Sequence, residues 1–165
     1  MAVFRFAVVT LLIASAINLS LMVPGGFVET RDFSAYPAIV LGAFNAFLTV
    51  LGLGSLVLAV IVARKGRGYG LPELAGLAFV CVYLLDLGRI FPVPPNPMSP
   101  LLTTLEWLGT VLGGALVLAV IMLSRYDASS AVISSRPSIP GPVLIGLVIV
   151  AVIIVAYATK SAMGL

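Results

Sequence analysis

Residues 71–124 read LPELAGLAFVCVYLLDLGRIFPVPPNPMSPLLTTLEWLGTVLGGALVLAVIMLS. Two apolar runs, Leu71–Phe91 and Leu101–Ser124, flank a connector with five prolines between Pro92 and Pro100. A helix needs about 20 apolar residues to cross the hydrocarbon core of a bilayer. Both runs are long enough, and neither shows the apolar–polar alternation of a membrane barrel strand. The stretch therefore predicts a helical hairpin, its two antiparallel spans joined by a stiff, extended bridge.

Three more apolar runs lie outward from this hairpin, at Val3–Val23, Ala38–Ala63 and Val143–Thr159. Hydrophobic residues make up 61% of the 165 positions and charged residues only 9%. Mean hydropathy is +1.23. A water-soluble domain of this composition is excluded. The expected fold is all-α: a polytopic integral membrane bundle of five transmembrane helices, with residues 1–165 forming one transmembrane domain. Backbone groups in lipid must be satisfied within each span, which favours helices over any open sheet.

Proline and glycine mark the ends of the spans. Pro24-Gly25-Gly26 stops the first, and Pro37 biases Tyr36 away from helix before the second. Gly66, Gly68 and Gly70 loosen the second connection, and no Lys-Ser/Thr follows to make it a phosphate loop. Pro72 suits the first turn of the third helix. The Ser- and Pro-rich connection Tyr126–Pro142 is the longest non-membrane stretch. Ala14-Ser15-Ala16 has the form of a signal cleavage site, but apolar sequence runs on through Met22-Val23, which favours a membrane helix.

Arg5, Arg64, Lys65, Arg67, Arg125 and Arg136 fall on one side of the spans, and Arg31, Arg89 and Lys160 on the other. The positive-inside rule then predicts a cytoplasmic N-terminus and an external C-terminus, in a bacterial-type inner membrane. The net charge of +3 follows from this placement. No Lys/Arg block is dense enough for nucleic acid.

The chain has no histidine and a single cysteine, Cys81. Histidine-based haem, metal and general-base chemistry are excluded, as is an internal disulfide. Cys81 reads as a packed apolar residue. No catalytic residue, metal site or cofactor is expected, and an enzyme is the weakest of the functional readings.

Small residues mark where helices meet in lipid. Gly109-x-x-x-Gly113 is one such face, Ser55, Ala59 and Ala63 a second, and Gly42 with Ala46 a third. The fifth run is almost purely Val, Ile, Leu and Ala, as expected of a span that faces lipid or a partner subunit. Trp107 lies deeper than an interface anchor and is expected to pack.

Charges inside spans are functional candidates. Asp86 lies six residues before Pro92, and Glu106 six residues after Pro100. At about 1.5 Å per residue, both sit about 9 Å in from the ends of their helices, at one depth. Glu106 shares a face with Gly109 and Gly113, so it should point inward. Arg89 follows Asp86 by three positions and should share its face. Asn18 and Asn45 reach the same layer from the first and second spans. Asn18, Asn45, Asp86, Arg89 and Glu106 are thus the candidate ligand-binding set. The first external loop carries Glu29, Arg31 and Asp32 and could close over them as a lid, offering Arg31 to a second carboxylate.

Two readings follow for this set. The acids and Arg89 could simply neutralise one another and lock the third and fourth spans. Alternatively, they line an outward-facing polar pocket for a small polar ligand or lipid headgroup. The expected function is a non-enzymatic membrane subunit or interaction component with such a pocket, in a homo-oligomer or larger membrane complex. The alternative is a small-solute, ion or lipid binding or transport protein.

Overall fold

The structure is a computed structural model that describes residues 2–65, 70–127 and 140–165. Gly66, Arg67 and Gly68 of the second connection, Arg136 and most of the connection before Pro142 lie outside the described residues, whereas Gly70 begins the third helix. The described residues form five helices: α1 (Ala2–Leu21), α2 (Ala38–Lys65), α3 (Gly70–Leu87), α4 (Pro100–Asp127) and α5 (Gly141–Ala162). All five are long and apolar enough to cross a membrane. The chain is an all-helical integral membrane bundle.

Local chemistry fixes the helix ends that matter. α4 starts where the Leu102 N–H donates to Ser99 Oγ at 3.1 Å, with Pro100 in the first helical position. Serine is a preferred cap, and proline loses no helical hydrogen bond there. α3 ends at Leu87, four residues earlier than the apolar run suggests. The Ile90 N–H donates to the Leu85 carbonyl at 2.8 Å and the Arg89 N–H to the Asp86 carbonyl at 2.9 Å. Arg89 has φ +51°. This is the left-handed closure that glycine usually occupies after a helix. It releases the chain before Pro92, which cannot continue a helix.

The α3–α4 hairpin packs most closely, and α1 lies against both α2 and α4. A Cβ on Gly113 would come 3.0 Å from the Gly76 carbonyl oxygen, so the expected Gly109/Gly113 contact face is real. Val8, Leu12, Phe79, Tyr83, Leu116 and Val120 form the main core. Ser55 and Ala59 are buried as expected, but Ala63 is exposed. α5 touches only α2 among the helices and buries only Ala158 and Ala162.

Two expectations need correction. Trp107 is 56% exposed and does not pack inside the bundle. It follows Glu106 directly, and adjacent helical positions point in different directions. Cys81 is also exposed, on the outer side of α3, and is not a packed core residue.

One end of the bundle gathers the segment between α1 and α2, the proline bridge and the end of α5. The Val93 N–H donates to the Tyr36 hydroxyl at 2.7 Å. Tyr36 and Phe91 meet edge to face at 5.7 Å. Phe33, Leu41 and Ala162 form a small second core. Gly25 has φ +86°, and a Cβ there would lie 2.5 Å from Ser161 Cβ. Both its conformation and its neighbour require glycine. Arg5, Arg64 and Arg125 lie toward the opposite end of the bundle.

Candidate functional site

The site is built where that gathered end meets the spans. Residues 29–33 cross one end of the bundle with side chains that alternate in burial, as along a strand. Glu29, Arg31 and Phe33 are buried, whereas Thr30 and Asp32 are exposed. Arg31 thus enters the bundle from a loop. Its guanidinium lies over the Phe33 ring, 5.4 Å from the centroid, where the ring quadrupole favours a cation.

Arg31 is the hub of an ionic cluster. Nη1 donates to Asp86 Oδ1 at 2.8 Å and Nη2 to Oδ2 at 2.7 Å, a two-pronged pair. Nε donates to Glu29 Oε1 at 2.9 Å and Nη2 to Oε2 at 2.6 Å. Glu106 Oε1 lies 3.9 Å from Nη2. Asp86 and Glu106 are therefore level, as the proline registration predicts. Burial alone would lower the affinity of the guanidinium for its proton, but Asp86 and Glu29 outweigh that and hold it above its ordinary value. Arg31 stays cationic at any physiological pH.

Glu106 is 3% exposed. Its Oε2 has no hydrogen-bond partner among the described residues. Buried polar atoms are rarely left so, because each carries a desolvation cost of about 1–3 kcal/mol. A cavity of about 60 Å³ is lined by Glu29, Arg31, Asp86 and Glu106 together with Asn45 and Tyr83. A second cavity of about 110 Å³ lies between Arg31, Asp86, Arg89 and the bridge from Pro92 to Met98. Arg31, Asp86 and Pro92 line both, and the second, against the largely exposed proline bridge, forms the mouth.

The polar layer expected from the sequence is only partly reproduced. Asn45 lines the inner cavity and donates to Thr159 Oγ1 of α5 at 3.2 Å. Asn18 braces the layer from behind, donating to the Tyr83 hydroxyl at 3.2 Å and the Leu105 carbonyl at 3.0 Å. Arg89 does not pair with Asp86: it lies beyond the end of α3, exposed, and faces the mouth. The helical spacing that placed it beside Asp86 fails because the helix ends at Leu87. Asp32 is exposed and outside the site, and its carboxylate accepts the Ser34 N–H at 2.8 Å. That backbone hydrogen bond, with one from the Ser34 side chain, holds its pKa below the ordinary value.

Two contributors were missed. Tyr83 lies three residues before Asp86 on the same helical face, a spacing that could have revealed it. Thr159 left no comparable signal within its apolar run. Among the described residues, no group of three His, Cys, Asp or Glu side chains is arranged to hold a metal ion.

The fold and site define a five-helix membrane protein with a loop-delivered arginine buried among three carboxylates. The chain belongs to the family described as Domain of unknown function (DUF8051), whose pattern matches residues 4–135. That match spans α1 to α4 and every member of the ionic cluster. No curated protein and no solved structure matches the chain.

Proposed function

We propose that this is a non-enzymatic binding component of the membrane whose acid-rich pocket takes up a small cationic solute at the outer face. The buried, unpartnered Oε2 of Glu106, a residue that lines the inner cavity, carries the reading. Three carboxyl groups surround one guanidinium, so the acidic groups outnumber the cation, and a buried surplus of this kind is relieved by a cation or a proton. The size of the inner cavity limits the choice. About 60 Å³ exceeds the roughly 10–15 Å³ that one water requires, enough for an ammonium-sized head. Placement of Arg5, Arg64 and Arg125 at the opposite end supports a cytoplasmic N-terminus and an outward-facing mouth.

The test is thermal unfolding of the protein in phosphatidylcholine nanodiscs, titrated with methylammonium. At about 100 times the Kd, stabilisation of about 2.7 kcal/mol is expected, and Glu106→Gln should abolish it while remaining folded. No response from the wild type, or an equal response from Glu106→Gln, refutes the reading.

A second reading has its own support. Among the helices α5 packs only on α2, and it leaves Val148, Val152 and Ile153 more than half exposed. That face suits a partner span in a larger membrane complex. Recovery of one stoichiometric partner, lost when Val148 and Val152 are replaced by Trp, would favour a subunit role.

A further inference from the structure

We infer that the ligand is amphiphilic: an ammonium head on a short hydrocarbon tail, with the head at Glu106 and the tail in a separate apolar cavity between α1, α2 and α5. This rests on the cationic-ligand reading above and adds the tail. The apolar cavity has a volume of about 180 Å³. Gly52, Leu53, Leu56, Ile154 and Ala158 form its far side. Its near side is shared with the charged cavity: Leu19, Met22, Pro24, Asn45 and Leu48 line both. The two compartments therefore adjoin, one acidic and one apolar. Met22 is the pliable member of the shared wall, since an unbranched thioether readily changes rotamer.

The two compartments have different chemical preferences. A bare cation satisfies Glu106 and gains nothing from the apolar side. A hydrocarbon satisfies the apolar side and leaves Glu106 Oε2 without a partner. The apolar pocket is open on one side, where Ile17 and Leu56 are exposed, and its volume is of the order of the roughly 150 Å³ that accommodates benzene, enough for a tail of about six carbons. Gly52 keeps it open: a Cβ there would meet only Leu19 Cδ2, at 3.6 Å.

The experiment measures apparent affinity in phosphatidylcholine nanodiscs for methylamine, propylamine, hexylamine and dodecylamine, with hexanol as the tail without a head. Affinity should rise up to about four-fold per methylene, then level off near hexylamine, while hexanol gives no stabilisation. Gly52→Leu, and separately Ile154→Phe, should flatten the series to the methylamine value by filling the tail cavity from two different helices. Glu106→Gln should abolish all amine binding. A wild-type series that is flat from methylamine to hexylamine overturns the tail and leaves the cationic pocket standing. Silence toward every amine removes the pocket itself. Hexanol binding as tightly as hexylamine overturns the ammonium head. Phosphatidylethanolamine added to the discs identifies the source: competition with hexylamine overturns the short tail in favour of a lipid ammonium, and its absence supports a soluble amine.

Discussion

Removing the Arg31 guanidinium leaves Glu29 and Asp86 buried without their counter-charge. Breaking a buried pair from one side costs about 3–5 kcal/mol. Arg31→Gln should lower stability by that amount, read from thermal unfolding in nanodiscs. Arg31→Lys should recover little, because a single ammonium cannot reproduce the two-pronged contact with Asp86 together with the Glu29 contacts. Arg89 behaves in the opposite way. Its left-handed backbone, φ +51°, costs an L-residue about 1–2 kcal/mol that glycine avoids. Arg89→Gly should therefore raise stability by about 1 kcal/mol in the same assay. Such a residue kept at a strained position beside the mouth is a candidate for a functional role there. Sequence legibility differs sharply between these two arginines. The loop's alternating pattern, Glu29-x-Arg31-x-Phe33, was present to be read, and it separates the inward pair from Asp32. The helix spacing of Asp86 and Arg89 misled because helical faces mean nothing past the last helical residue.

The α3–α4 hairpin is the element that sets the depth of the site. Its legibility was high: prolines fixed the register of Asp86 and Glu106, and the small-residue face fixed the inward direction of Glu106. The apolar run overstated α3, since Ile90 and Phe91 are apolar yet lie in the turn that follows it. At Gly109 the two helices leave no room for a side chain. A Cβ there would lie 2.5 Å from Tyr83 Cζ and 2.7 Å from Asn18 Nδ2. Overpacking of this kind costs about 1–3 kcal/mol. Gly109→Ala should show that loss and should also disturb ligand response, because it displaces Tyr83 from the cavity wall. Gly114→Ala, with open space around it, is the matched control and should be neutral or slightly stabilising. Trp107 and Cys81 show the limit of composition. An apolar side chain in a span is equally at home against helix or lipid, so hydrophobicity alone cannot choose its direction.

At the scale of the molecule, five apolar helices were readable from length and hydropathy, and the tertiary meeting of distant segments was not. Nothing in the sequence distinguishes α5 lying beside α2 from any other position, because its faces are nearly uniform. The orientation remains a proposal with a direct check. Asp32 is exposed at the site end. Asp32→Cys on a Cys81→Ala background should react with a membrane-impermeant maleimide in intact cells. Labelling only after permeabilisation would invert the assignment and put the mouth in the cytoplasm. The family match ends at residue 135, so the ionic cluster lies in the matched part and α5 adds its wall to the apolar cavity from outside it.

The positive partner of the acids hangs on a tether. Spans in a packed bundle shift over microseconds to milliseconds, but surface segments move within nanoseconds to microseconds. If residues 28–33 lift away, Asp86 and Glu106 lose their guanidinium while every helix stays in place. Glu29 leaves on the same tether as Arg31, so the surplus of acidic over basic groups is the same with the segment seated or lifted, and a cation at Glu106 meets one net charge in both states.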